Sequence, residues 1–592
     1  MKPESGKKET NQVFIDIKNN KIVQYILNVL FSLSVACMTC ILIEPENIDK
    51  ATYIVLFLMS FITAAIISMK FVFLKKTFEK LRISFLLIST VLGSFTAYHL
   101  VNFNNAVISV LCMQICTLLA IPAISIFLYW FYSHFIDYIK KYIHSLEKLE
   151  RNFLLVTGIV MSIAIIAIYQ ITDVFYKITT PKENYDYQVN YIQKNENSEE
   201  LAQRYIQHLY DTNQYDIIYT SDTAPLVRED VYTHIVSDQN DIRQPLFGLF
   251  SLPFYIVPRI IADMFPSVTS LYATMISVIQ LWLILITFTM LSKMMKIENK
   301  ITKLLFLIAL TISYPTMLFM LNLEQYAMSI FYLISFIYMA LQDKKEKDIF
   351  YIAATGSMLT SGILFPLLGQ KGNLKQSIKQ IGITFLKCLA IFIIFARITL
   401  IFPQNVEKQI GRIKQYSDSK YTVIEKFNMY TNFCKNTYLY SDFKEERTVV
   451  AIKMIIKNGS SEMNVIVTMP TIRQVDTVIL SVVGCGVILI AFLGFFLHRK
   501  DCFTKICFIW SIFSFVLLFL LGWGTNENGL ILYTFYFGWA FICLAFQLFE
   551  KILKNKIKLK NIILSVGLLG MAGINIYGIY QTILFGIKNF PC

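Results

Sequence analysis

The chain is poor in charge. Only 16% of its 592 residues are Asp, Glu, Lys or Arg, against about 25% in ordinary soluble proteins. That shortage argues against a soluble globular chain of this length. Histidine is scarcer still, with six copies and no HExxH pair, so the zincin type of metalloprotease is excluded. No GxxxxGK[ST] loop occurs, and no GxGxxG follows a strand, which removes P-loop ATPases and Rossmann enzymes. Nor does a polar segment contain a CxxC pair. Cys37, Cys40, Cys112, Cys116, Cys388, Cys485 and Cys543 lie inside apolar runs, where packing is the plainer reading than metal ligation. Only Cys434 and Cys592 fall in segments read as external, where a disulfide between them is open. The "GCG" at 484–486 is inside an apolar run and reads as helix packing.

What the chain does have is apolar length. Hydrophobic residues make up 55% of it, in runs of roughly 18 or more that can each cross a hydrocarbon core about 30 Å thick. The expected fold is an all-α polytopic membrane protein. Thirteen spans are predicted, at roughly 22–43, 52–74, 83–103, 106–131, 153–173, 269–291, 304–322, 326–342, 378–402, 477–497, 506–523, 529–548 and 561–585. Two further stretches, 245–263 and 350–368, are interrupted by Pro or Gly and read as full spans or re-entrant segments. The first run is too long for a signal-peptide core and lacks a small-residue cleavage site, so it reads as a retained span.

The net charge of +14 would suggest nucleic acid only if the basic residues clustered on a soluble domain. They sit instead in short connectors: Lys75, Lys76, Lys80 and Arg82; Lys140, Lys141, Lys148 and Arg151; Lys551, Lys554, Lys556, Lys558 and Lys560. Cytoplasmic loops carry such an excess. Alternation then places the N-terminus in the cytoplasm and the C-terminus outside a plasma membrane, with no nucleic-acid partner.

Two connectors are long, and both fall on the outer face. The first, 174–246, has twelve Asp or Glu and six Lys or Arg. Within it, Ser198 to Asp211 ("SEELAQRYIQHLYD") reads as a short amphipathic helix with a Ser cap. The second, 403–475, has seven acidic and eleven basic residues, and its β-branched runs around "NGSS" read as a hairpin. Residues 1–150 have short loops and few polar positions, so they read as an accessory four-helix region. The expected organisation continues with a membrane module over 151–402, the second loop or small domain over 403–475, and C-terminal helices over 476–592.

The candidate chemistry lies after Arg151. Asp173 sits where the fifth span ends, and the first long loop adds Asp222, Glu229, Asp230, Asp238 and Asp241. A carboxylate at the interface is inexpensive while wet and becomes reactive when a substrate covers it. Arg243, just before the apolar run that opens at Pro245, could hold phosphate in a bidentate fork or anchor a lipid headgroup. Arg259 reads as a snorkelling residue. Glu324 follows Tyr314-Pro315 in a turn between two spans, and near-membrane acids are functional suspects. His208 and His234 are the histidines of the external loops, and His234 is a candidate substrate contact.

A span, then an acidic external loop, then Gln244-Pro245-Leu246 opening an apolar helix, then many spans: this order over about 151–590 resembles the GT-C superfamily of integral-membrane glycosyltransferases, especially bacterial relatives of glycosyltransferase family 39. Tyr314-Pro315 followed by Glu324 is similar to a later element of that family. The His and first Pro of the family's His-Pro-Pro-Leu-like element are missing, and no Asp-Glu pair stands near Asp173. The resemblance implies inverting transfer of a sugar from a polyprenyl-phosphate-linked donor to a glycan, lipid or protein acceptor on the outer face. Asp222 would be the general base, with Asp173 its rival. Arg243 would hold the lipid phosphate, and Asp241 and Glu324 would orient substrate or a divalent cation, Mg2+ or Mn2+.

Two other readings stay open. A transporter or flippase for a lipid-linked glycan would favour short loops and broken helices carrying charge near the midplane. A polysaccharide polymerase or ligase would use the same outer-face loops to move an assembled glycan.

Overall fold

A computed structural model describes residues 21–43, 49–70, 83–100, 108–175, 242–268, 270–369, 373–417, 421–441, 443–455, 462–474, 479–525, 530–589 and 592. Among these it is a helical, multi-pass membrane protein. Ten helices are long and apolar enough to span a bilayer, or eleven if one bent pair counts as a span. The sequence predicts thirteen. Nine of the ten coincide with predicted spans and the tenth is Phe247–Met264; of the four predicted spans left over, 304–322 is the bent pair and the others are short. The helices at Ile83–His99, Gln325–Leu341 and Val482–His498 have 17 residues each, at the lower limit for crossing.

The chain divides into two units. The first comprises Met1–Ser145, Val231–Ile261 and Tyr351–Gln409. It therefore holds more than the expected four-helix region, because two later segments return to it. Its helices are α1 (Lys21–Leu42), α2 (Lys50–Lys70), α3 (Ile83–His99), α4 (Val110–His144) and most of α6 (Phe247–Met264). The run at 245–263 is thus a continuous helix despite Pro253 and Pro258. In α1 the Ser34 hydroxyl donates to the Leu119 carbonyl at 2.5 Å and accepts from the Ala123 amide at 2.9 Å, pinning α1 to α4. Tyr132 of α4 donates to the Pro253 carbonyl of α6 at 2.7 Å. The run at 350–368 is broken: α11 (Lys347–Ser357) stops at extended Met358, and a 3-10 helix follows over Leu359–Leu368. The predicted span at 378–402 also ends early. Its helix, α12 (Leu374–Ile394), gives way at left-handed Ala396 to a 3-10 turn, Arg397–Ile401.

The second unit comprises Leu146–Asp230, Ala262–Phe350 and Ile410–Cys592. It contains α5 (Lys148–Tyr169), α7 (Leu271–Met295), α8 (Lys300–Ile312), α9 (Tyr314–Leu321) and α10 (Gln325–Leu341). After α13 (Pro403–Ser417), which straddles the division, come α14 (Val423–Asn436), α15 (Val482–His498), α16 (Cys502–Ser514), α17 (Leu530–Ile552) and α18 (Ile557–Asn589). The predicted span at 304–322 is the pair α8–α9, bent by 55°. The cause is Pro315 at the start of α9, which cannot donate into the preceding turn.

Side-chain bonds fix how these helices run. Lys303 at the start of α8 pairs with Glu147 before α5 at 3.0 Å. At the far ends Tyr169 of α5 donates its hydroxyl to the Leu321 carbonyl of α9. Thus α5 and α8–α9 are parallel. Ser292, late in α7, donates to Glu150 at 3.0 Å, and Ser277, early in α7, donates to Met320 at 2.5 Å. Hence α7 runs the other way. Asn561 meets Thr302 at 2.7 Å, and a Cβ at Gly586 would collide with Thr172, so α18 runs parallel to α5.

The second long connector is not simply a loop. Beta strands β1 (Phe443–Ile455) and β2 (Glu462–Gln474) pair antiparallel in the region read as a hairpin, with Val450 opposite Val467. The "NGSS" tip lies outside the described residues. Ahead of the strands, α14 enters the bundle. Its Tyr430, Phe433 and Cys434 are buried, and a Cβ on Gly484 of α15 would collide with the Thr431 carbonyl. The packing role read for the "GCG" is visible at Gly484, whereas a Cβ on Gly486 would meet open space. Within the connector read as external, α14 thus packs one side into the second unit. Cys434 is a buried thiol, and no disulfide joins it to Cys592.

Candidate functional site

At the end of the second unit where α5 and α9 finish, two carboxylates are enclosed. Asp173 follows α5 and is buried, accepting the Cys592 thiol at Oδ1 over 3.1 Å. The same thiol lies 3.3 Å from the Tyr169 carbonyl. Glu324 follows α9 and is only 1% exposed. It lies in the turn between α9 and α10, as expected from the sequence, and is buried there. It is the extended N-cap of α10, where the positive end of the helix dipole favours its charge. Its carbonyl accepts from Gln280 Nε2 at 3.0 Å. The Tyr169–Leu321 bond ties together the two helix ends from which these acids emerge. Buried polar neighbours include Asn322, Gln325 and Gln280, and Tyr326 packs against Tyr533 and Tyr536.

The opposite end of the unit carries the lysines. Lys148, Arg151, Lys300, Lys303, Lys551, Lys554, Lys556, Lys558 and Lys560 lie at the start of α5, the start of α8 and the α17–α18 turn. Lys560 is buried and pairs with Glu550 at 2.7 Å. Basic residues thus predominate at this end, although Glu147, Glu150 and Glu550 stand among them and Lys588 lies at the opposite end of α18.

Arg243 belongs to the first unit. Its carbonyl accepts from Leu359 at 2.8 Å, and Leu246 donates to Gly356 at 2.8 Å, so the head of α6 is stitched across the α11 break. A Cβ on Gly356 would come within 2.8 Å of Leu246, which is why a glycine serves there. Asp222, His234 and Asp241 lie outside the described residues, as does the helix expected at Ser198–Asp211. Of the candidates, the structure brings Asp173 and Glu324 to one end of one unit. Among the described residues no cluster of three His, Cys, Asp or Glu side chains is arranged to hold a metal.

Three polar positions escaped the sequence reading. Arg397, 6% exposed, was absorbed into an apolar run, although an arginine within "IIFARITL" is itself a warning of a helix end. Asn575 of α18 is fully buried and donates to the carbonyls of Ile312 and Tyr438, each at 2.7 Å, while accepting from the Tyr440 amide at 2.7 Å. It thereby caps a carbonyl released at the α8–α9 bend. Asn436, at the end of α14, is 1% exposed and its side-chain oxygen and nitrogen have no hydrogen-bond partner among the described residues. No signal in the sequence marks these two asparagines. Their importance comes from long-range pairing.

No known protein family, curated protein or solved structure matches the chain.

Proposed function

We propose that the protein is a membrane glycosyltransferase that takes a sugar from a polyprenyl-phosphate carrier and passes it to an acceptor on the extracytoplasmic face. One observation carries this reading: Asp173 and Glu324 are enclosed at the same end of a helical bundle whose other end gathers the lysines. Lysine-rich ends face the cytoplasm, which turns the acidic end outward. A lipid-borne sugar would be presented at that end without a soluble nucleotide donor.

In this reading a carboxylate accepts the proton of the acceptor hydroxyl as the new glycosidic bond forms with inversion, and the lipid phosphate departs. Asp222 and Asp173 compete for the role of base, which needs a heavy-atom approach of about 2.6–3.2 Å. Arg243 would stabilise the departing phosphate. Glu324, with Asp241 and His234, would orient substrate or a divalent ion. The test is transfer of radiolabelled sugar from polyprenyl phosphate by membranes carrying Asp173→Asn or Asp222→Asn. One of the two variants should lose transfer by about 100-fold or more while inserting normally. Full transfer by both would end the proposal.

A second reading, transport of a lipid-linked glycan, is favoured by the 55° break between α8 and α9. Broken helices of this kind recur in transporters. Movement of the glycan across sealed vesicles without bond formation would select it.

A further inference from the structure

We infer that the second unit binds a single dehydrated monovalent cation, of sodium size, in the cavity where α14 ends against the α8–α9 break. The inference stands whether the protein transfers sugars or transports them. The cavity has a volume of about 10 Å³, room for one water-sized occupant. Five hydroxyl-bearing residues line it: Thr287 of α7, Ser313 and Thr316 at the break, Thr437 after α14, and Thr534 of α17.

The direction of their protons decides what fits. Thr287 donates to Leu283 at 2.8 Å, Ser313 to Leu310 at 2.9 Å, Thr437 to Cys434 at 2.7 Å and Thr534 to Ile531 at 2.5 Å, all backbone carbonyls. The Thr316 oxygen lies 2.8 Å from the Ser313 oxygen. With their protons engaged, Thr287, Thr437 and Thr534 keep oxygen lone pairs for the cavity, and the single Ser313 proton serves either Leu310 or Thr316. A water there would find acceptors for its hydrogens and few donors for its oxygen. A cation would find hydroxyl oxygens on one side and apolar walls such as Phe288, Leu291 and Ile542 on the other.

The backbone adds to this. Ser313 is the C-cap of α8 and Thr437 the C-cap of α14, so two helix C-termini with their negative dipole ends meet at the cavity. The N-terminus of α9 opposes one of them, leaving a net negative end. Neutral oxygen ligands without a carboxylate suit a monovalent ion better than Ca2+ or Mg2+, whose sites usually include acids. Half-helix C-termini and unwound carbonyls are a recurrent way to hold Na+ inside a membrane.

The experiment uses the purified full-length chain in detergent. Thermal unfolding is followed as NaCl replaces N-methyl-D-glucamine chloride at constant ionic strength, and retention of ²²Na⁺ is measured alongside. Sodium should raise Tm saturably, with a single ion retained per chain. Thr287→Val combined with Thr534→Val should abolish both effects, whereas Thr534→Ser should preserve them. If the double valine variant does not fold, the wild-type measurements still decide. An unchanged Tm together with no retained ²²Na⁺ overturns the proposal, as does full sodium dependence in a folded double valine variant.

Discussion

Helix α17 of the second unit and helix α12 of the first are both apolar and both long enough to span a bilayer, yet they are placed in opposite ways. The spanning stretch of α17 is 100% buried within the protein, and that of α12 only 6%. In α12 the side chains of Ile378, Phe385 and Leu386 are exposed, while Thr384 is buried. In water such a helix would be an aggregation surface. In hydrocarbon it needs no partner, because lipid tails are as apolar as leucine. Packing within the protein therefore has to come from something other than apolar attraction. In the second unit it comes from bent backbone and buried amides. The difference teaches that specificity in this molecule is carried by a few polar contacts, while its apolar surface mostly sets where the membrane lies.

The sharpest way to break that comparison is Asn575→Leu. It removes three hydrogen bonds at the α8–α9 bend and leaves the Ile312 and Tyr438 carbonyls without this donor in the bundle interior. Unfolding in mixed micelles should show a loss of about 3–5 kcal/mol, summing ordinary costs for buried unsatisfied groups. A loss no larger than that of a surface change would refute the polar account. A smaller effect is expected at Ser34→Val in the first unit, where one hydroxyl joins α1 to α4. The same measurement should give about 1–3 kcal/mol. The smallest effect belongs to Leu386→Ala on the exposed face of α12. It should lie within about 0.5 kcal/mol of wild type. A much larger loss would mean that this face meets protein instead of lipid.

Much of the architecture was legible from apolar run length. Helices such as α1, α5, α7 and α17 fall close to their predicted spans because about 20 apolar residues leave few alternatives. Where the reading failed, the cause was a break that composition hides. Residues 304–322 look continuous in hydropathy, but Pro315 removes one amide and divides the run into α8 and α9. Conversely, Pro253 and Pro258 suggested interruption in a helix that continues through both. α14 was missed because its sequence is of mixed polarity, and its buried side rests on contacts with α15, α16 and α17 that sequence spacing does not reveal. For the candidate site, Asp173 and Glu324 were legible as acids at span ends. Their enclosure at one end was not, since it follows from the parallel course of helices about 150 residues apart, joined by Tyr169 and Leu321.

The carbonyl of Ile312 finds its donor in Asn575, 263 positions later in the chain. A ribosome delivers the two at different times. While the helices between them are being threaded into the bilayer, the kink at Ser313 must wait with that oxygen unmet by its final partner. Maturation of the bundle is consequently tied to arrival of α18, and a nascent chain halted before it would lack the Asn575 bond to its central bend.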